Sequence, residues 1–375
     1  MIGQARKYRS VNRIFLEQIP GLSRELARVK LGMWSKRPVV PWKLEFFLTY
    51  SCGSRCKTCL IWTRYDREPE KRAQELDANA FARVARSVGP SLRWLSFTGG
   101  EITDREDAEE IMIAVGEGAP GCRVISSSSH GLSPHRVEEV FEGVARRFPD
   151  RAILVTLSMD GLGKTYKDIR GVSGADQVFE SYDRLELLSK KYPNLGASFQ
   201  TTLSERNFGE ARELLEVLAK RSPGNVVTIA NDSRVLTEGK IPDIDARDSP
   251  AIKAALEDAI HSNPARGLSG IFSQIYLRLT RGALEINEAP VPCVAGFASL
   301  TISPYGEVLQ CDRHDEPLGV LEAPDYDLSA LIRSENYMER LEKYRGCREC
   351  FTPCQAYPSI MHAPMKSSFL ALTRR

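Results

Sequence analysis

Cys52, Cys56 and Cys59 place three thiols at spacings of four and three in a short loop, directly after the apolar run from Leu44 to Tyr50. Thiolates gathered this tightly are soft ligands, suited to zinc, copper or iron–sulfur clusters. An ordinary four-iron cluster takes four cysteines, and no fourth lies near. Three ligands leave one iron with an open position where a substrate or cosubstrate can bind, as a catalytic metal site requires. A structural zinc loop is the rival reading of these three residues taken alone.

A second group follows far downstream: Cys293, Cys311, Cys347, Cys350 and Cys354. Between its first two members, Leu300-Thr301-Ile302 and Glu307-Val308-Leu309 flank Pro304-Tyr305-Gly306, a hairpin signature. A helical stretch from Leu328 to Tyr344 then leads to the last three thiols. Zinc fits this spacing too. The cysteines number nine, an odd count, and eight fall in these two groups. In a reducing compartment such groups read as metal ligands rather than disulfides. Cys122, the remaining one, opens a strand and reads as an inert buried thiol.

Polar residues at strand ends complete the chemistry-bearing set. Thr98-Gly99-Gly100-Glu101 offers two glycines, which let backbone approach a ligand, and a carboxylate suited to an ammonium group. Ser126 to Ser129, followed by His130-Gly131, is a run of small hydroxyls able to bond polar ligand atoms. Leu157-Ser158-Met159-Asp160-Gly161 is followed by Arg170-Gly171, and the Arg170 fork suits a carboxylate. Gln200 and Thr202 lie on a later strand.

The elements that must position these residues alternate regularly. Strands are expected at Leu44 to Tyr50, Trp94 to Thr98, Arg123 to Ser127, Ile153 to Met159, Ala197 to Leu203 and Val226 to Ala230. Helices are expected at Asp77 to Ser87, Arg105 to Val115, Pro134 to Arg147, Gln177 to Lys191 and Phe208 to Arg221. Six such units predict an α/β fold, a partial (β/α)6 TIM-like barrel whose chemistry sits at the C-terminal strand ends. All the motifs above fall at that edge. With 375 residues, 42% hydrophobic and 27% charged, the chain has room for a large core and an additional small domain. Expected boundaries are residues 1–40 for N-terminal helices, 41–285 for the barrel and 286–375 for a β-hairpin and helix domain with a basic tail.

The front loop, with Gly99, Gly100 and Glu101 one unit later, resembles the signature of the radical S-adenosylmethionine (SAM) enzymes. The pair Cys293 and Cys311, with Gly306 between them, resembles the auxiliary-cluster domains called SPASM and, in shortened form, twitch. The likeness spans roughly residues 42–356. It implies a SAM-binding [4Fe-4S] cluster on Cys52, Cys56 and Cys59. It also implies SAM contacts from Gly99, Gly100, Glu101, Ser127, Ser158, Arg170 and Gln200. One auxiliary [4Fe-4S] cluster would draw on Cys293, Cys311, Cys347, Cys350 and Cys354, five candidates for at most four positions. The family's aromatic residue before the third cysteine is replaced here by Thr58, with Trp62 the nearest aromatic. The implied reaction is reductive cleavage of SAM to a 5′-deoxyadenosyl radical that abstracts hydrogen from an unactivated C–H. An electron donor such as flavodoxin or ferredoxin is implied with it. A redox-sensing iron–sulfur protein and a zinc scaffold are the non-enzymatic alternatives, and neither accounts for Glu101 and Arg170.

The net charge of +2 hides an asymmetry. Residues 1–40 carry nine Lys or Arg against Glu17 and Glu25, and residues 355–375 carry Lys366, Arg374 and Arg375 with no acid. Val11, Ile14 and Phe15, then Leu22, Leu26, Val29 and Met33, give two amphipathic helices with basic outer faces. Such helices either pack on the barrel or lie on an anionic membrane. The second option ranks a membrane-lipid or polyprenyl-linked substrate first. Next come a peptide substrate, as in maturases, and alcohol oxidation of a sugar-like small molecule. No apolar run is long enough for a membrane span and no secretory segment opens the chain. The expected location is therefore cytoplasmic, with peripheral contact at the inner membrane face, and no nucleic-acid partner is expected.

Overall fold

The computed structural model describes residues 9–222, 224–241, 249–263 and 267–373. Six short parallel strands form where the alternation predicts them: β1 (Lys43–Phe47), β2 (Trp94–Thr98), β3 (Val124–Ser129), β4 (Ala152–Ser158), β5 (Leu195–Leu203) and β6 (Val226–Ile229). They pair in chain order, β1 through β6, in parallel register. The intervening helices include α3 (Ala78–Val88), α4 (Ala108–Glu117), α5 (Pro134–Arg147), α6 (Gly163–Arg170), α7 (Ala175–Lys191) and α8 (Ala211–Arg221). Asp77 caps α3 by accepting the Ala80 N–H at 2.8 Å, satisfying one donor that a helix start leaves free.

Strand alternation separates two faces. Leu95, Phe97, Ile125, Val155, Leu157, Ala197 and Phe199 are buried under the helices. The opposite face carries Ser96, Thr98, Ser126, Ser128, Thr156, Ser158, Ser198, Gln200 and Thr202, all half-buried. A closed eight-stranded barrel fills its interior with branched apolar side chains. Here the inner face is mostly hydroxyls and amides, and among the described residues β6 pairs with β5 alone, so the barrel is partial and its lumen polar.

The hairpin expected after Ala289 does form, as β7 (Ser299–Ile302) and β8 (Glu307–Leu309), followed by β9 (Gly319–Val320). β7 pairs in parallel with β1, so the downstream segment extends the barrel sheet beyond its first strand. The helical stretch after it divides at Ser334 into α11 (Leu328–Ile332) and α12 (Glu335–Glu342). Ser334 caps the second piece by accepting the Tyr337 N–H. Helices α9 (Pro250–Ser262) and α10 (Gly267–Ile286) share a second core with α13 (Pro353–His362) and α14 (Pro364–Thr373), against β5 and β6.

Helices α1 (Arg9–Glu17) and α2 (Ile19–Ser35) pack their apolar faces inward, as the packing alternative requires. Val11 and Ile14 close against Ala152 and Leu154 of β4, and Val29 joins the main core. No helix among the described residues is long and apolar enough to cross a membrane.

Candidate active site

The cysteine loop leaves β1 and is clamped from both sides by the other motifs. On one side Gly100 N–H and Glu101 N–H donate to Thr49 O and Ser51 O, each at 2.7 Å, and Gly53 N–H donates to Asp104 at 2.9 Å. On the other, Arg55 N–H and Lys57 N–H donate to Arg170 O and Ile169 O at the C-terminus of α6. The far end is tied by Leu60 N–H to Leu236 O, and Trp62 Nε1–H donates to Cys59 O at 3.0 Å. Motifs up to 120 residues apart in sequence are thus direct neighbours of the three thiols.

The two glycines stand directly against that loop. A Cβ on Gly100 would lie 1.9 Å from Ser51 O, and Gly99 adopts φ 137° with Thr49 O 2.3 Å from its Cβ position. They allow close approach to the cysteine loop. Gly171, at φ 70°, does the same against Arg55.

Glu101 is buried and already surrounded by donors. One carboxylate oxygen accepts from Thr103 N–H (3.1 Å), Thr103 Oγ1 (2.6 Å) and Ser129 Oγ (2.8 Å), and the other from His130 N–H at 2.6 Å. Burial alone would push this carboxyl up. The adjacent His130 and the four donors outweigh it and hold Glu101 below the usual carboxylate range. Glu101 therefore locks the β2 and β3 loops together as an anion. Thr103, Ser129 and His130 were not singled out for this role, because their convergence needs the fold.

Arg170 is largely buried and pairs with Asp160 at 3.0 Å, while Asp160 also accepts Thr202 N–H at 2.7 Å. The Arg170 Nε is buried with no protein partner. A cation beside the thiol loop suits an anionic group such as the SAM carboxylate, and the Tyr166 hydroxyl lies beside Arg170. Ser158 and Gln200 are register neighbours on the lumen face, as expected of ligand contacts. Ser127 is not: it faces the helix layer and donates to Phe97 O at 3.1 Å. Strand alternation instead gives the lumen its neighbours Ser126 and Ser128. Trp62 has Arg55 stacked on its ring at 4.9 Å, so one face is already covered.

Deeper in the lumen lies a polar set that the motif search missed. Lys43 and Glu45 occupy alternate positions of β1, facing Ser299 and Thr301 of β7. Lys43 Nζ donates to Cys354 O at 2.7 Å and lies over the Trp94 ring. Ser299 Oγ donates to Gln355 Oε1 at 2.6 Å. One Glu45 oxygen, Thr301 Oγ1 and Gln355 Nε2 are buried without partners. Asp312 adds a carboxyl pushed up to about 6 by burial and by Glu45. The available signal was a lysine and a glutamate two apart in an otherwise apolar strand.

The second cysteine group converges beside this set. Cys293 N–H donates to Cys347 O at 3.0 Å. Cys293 lies in electrostatic reach of Cys350 and Cys347, and Cys311 of Cys293 and Cys350. Cys354 instead faces Glu45, Asp312 and Lys43. A single zinc would draw its sulfurs within about 4 Å of one another. Among the described residues, the one trio of possible ligand atoms all within 4.8 Å is His314, Cys347 and Glu349. Cys122 is a buried thiol donating to Val124 O, as expected.

Burial pushes Cys52 and Cys59 up to about 12, Cys293 to about 12 and Cys350 to about 11. Near neutral pH the metal-free chain therefore holds these thiols protonated, and metal binding must displace their protons. Metal affinity should rise with pH between 6.5 and 8.5, by up to about tenfold per displaced proton per unit. Chelator competition across that range checks this, and a flat response would mean the thiolates are already formed.

No family model and no curated protein matches this sequence. Solved structures do match in fold. Streptococcus suis SuiB bound to precursor peptide SuiA superposes with a TM-score of 0.57, covering 88% of this chain and 72% of its own, at 16% identity. Native anSMEcpe with bound AdoMet gives 0.54, covering 89% and 100%, at 15% identity. The same protein with AdoMet and Kp18Cys peptide gives 0.52 at 16% identity. The chain shares the fold of these structures. Within that fold, the three-thiol loop, Glu101 and Arg170 stand together at the C-terminal strand ends, and the second cysteine group lies along the β1 edge.

Proposed function

We propose that the chain is a radical SAM enzyme that modifies a peptide at an unactivated C–H. The observation that carries the reaction class is the clamped loop of Cys52, Cys56 and Cys59 between Glu101 and Arg170. When bound there, a [4Fe-4S] cluster with SAM supplies a 5′-deoxyadenosyl radical able to abstract hydrogen. The chain's own residues hold and orient the groups around it. The three thiols supply ligands and leave one position open. Arg170 would offer its positive charge to the SAM carboxylate, Glu101 fixes the two loops, and Ser158 and Gln200 would meet the ligand from the barrel wall. Cys293, Cys311, Cys347 and Cys350 form the auxiliary set, with Cys354 turned toward the lumen.

The lipid-first ranking gives way to the peptide reading. Structures of the same fold were solved with precursor peptide SuiA and with Kp18Cys peptide. The lumen wall supports it, because the half-buried Ser126, Ser128, Thr156, Ser198 and Thr202 line it with hydroxyls that both donate and accept. A peptide group, with one donor and one acceptor, complements that set.

Deuterium transfer tests this. The reconstituted enzyme, SAM and dithionite are incubated anaerobically with a perdeuterated peptide pool or with perdeuterated lipid extract. Deuterium in 5′-deoxyadenosine from the peptide pool alone is expected. Transfer from lipid alone would restore the lipid reading.

A further inference from the structure

We propose that the outward faces of α2 and α14 form a docking surface for anionic lipid, independent of the reaction assigned to the barrel. The inward faces of both helices are used in packing, yet their outward faces remain apolar. On α2, Leu31 is 62% exposed and Trp34 82%. On α14, Met365, Phe369 and Leu372 recur at helical spacing and are 87%, 64% and 72% exposed. Helix α2 packs on α13, which leads directly into α14. Lys30 lies close enough to His362 to lower its pKa further beyond the effect of burial, and Met365 is three residues on. Trp42 secures the same corner by donating to His362 Nε2 at 3.1 Å.

Charge selects the occupant. Arg24, Lys30, Lys36, Arg37 and Lys366 are exposed around these apolar residues. Acids near them are turned away or engaged: Glu25 is buried against Arg28 and Arg93, and Glu342, which faces Lys36, is paired with Arg345. Residues 353–373 contain no Asp or Glu. A tryptophan and leucine ringed by unopposed lysines and arginines suits the headgroup boundary of an anionic bilayer. An apolar protein partner would not require the charge.

Vesicle sedimentation of the full chain tests the proposal, using phosphatidylglycerol–phosphatidylcholine vesicles and pure phosphatidylcholine vesicles. Binding to the anionic vesicles alone is expected, with marked loss at high salt as the charges are screened. Lys30→Gln with Arg37→Gln should weaken partitioning about fivefold per charge. Trp34→Ser with Phe369→Ser should weaken it on the same vesicles while leaving 5′-deoxyadenosine formation intact. Negligible sedimentation of the native chain, or equal sedimentation of all variants, would overturn lipid docking. So would a native dimer in light scattering that the Trp34 and Phe369 changes convert to monomer, since a second copy would then cover the face.

Discussion

Replacing Cys52, Cys56 and Cys59 together by alanine is expected to abolish 5′-deoxyadenosine formation and remove about half of the bound iron. Among the described residues no fourth cysteine stands at this loop, since Cys293, Cys311, Cys347 and Cys350 group elsewhere. The variant should still fold. The loop is pinned by backbone hydrogen bonds from Gly100, Glu101 and Gly53 and to Arg170 and Ile169, none of which uses a thiol. Iron analysis, SAM turnover and thermal melting together check this. Unchanged iron with activity retained would show that the loop is not the catalytic centre.

Glu101→Ala should be the most damaging single substitution in the site. It strands four donors in a dry position: two backbone N–H groups and the hydroxyls of Thr103 and Ser129. Each unsatisfied buried donor costs about 1–3 kcal/mol. A total of roughly 4 kcal/mol or more would be a large part of a typical stability. The melting temperature should fall by about 5 °C, with SAM binding lost alongside. Glu101→Gln should fall between, because its carbonyl still accepts while its NH2 opposes a donor. Melting curves and SAM titration check both variants. An alanine variant as stable as the native chain would show that Glu101 does not organise these loops. Removing the Arg170 side chain carries a related cost, since it leaves Asp160 charged and buried without its partner.

Much of this was legible in the sequence. Strand and helix periods differ enough that six βα units could be placed to within a few residues, and strand ends mark where barrel chemistry sits. Local motifs also named the right neighbourhoods, since Gly99 to Glu101, Ser158 and Arg170 each belong to a strand-end or helix-end segment. What they could not convey is which group each residue meets. Gly99 and Gly100 read as opening space for a ligand, and the structure sets Thr49 and Ser51 against them, contacts between segments about 50 residues apart. Ser127 and Ser128 are chemically alike, and only the strand register tells which of them faces the lumen. Lys43, Glu45 and Gln355 carry no motif because they become a set only when β7 pairs with β1. The N-terminal helices offered packing and membrane contact as alternatives. The structure gives packing to one face and leaves the other open, because an amphipathic helix with apolar residues beyond its inner stripe can serve two surfaces.

The central claim is that Cys52, Cys56 and Cys59 hold a site where SAM is bound and cleaved. Its most direct test is 5′-deoxyadenosine formation by the anaerobically reconstituted native chain with SAM and dithionite, quantified by mass spectrometry beside metal content. The account predicts about eight irons per chain and 5′-deoxyadenosine that requires both SAM and reductant. Stoichiometric zinc, little iron and no 5′-deoxyadenosine would contradict it.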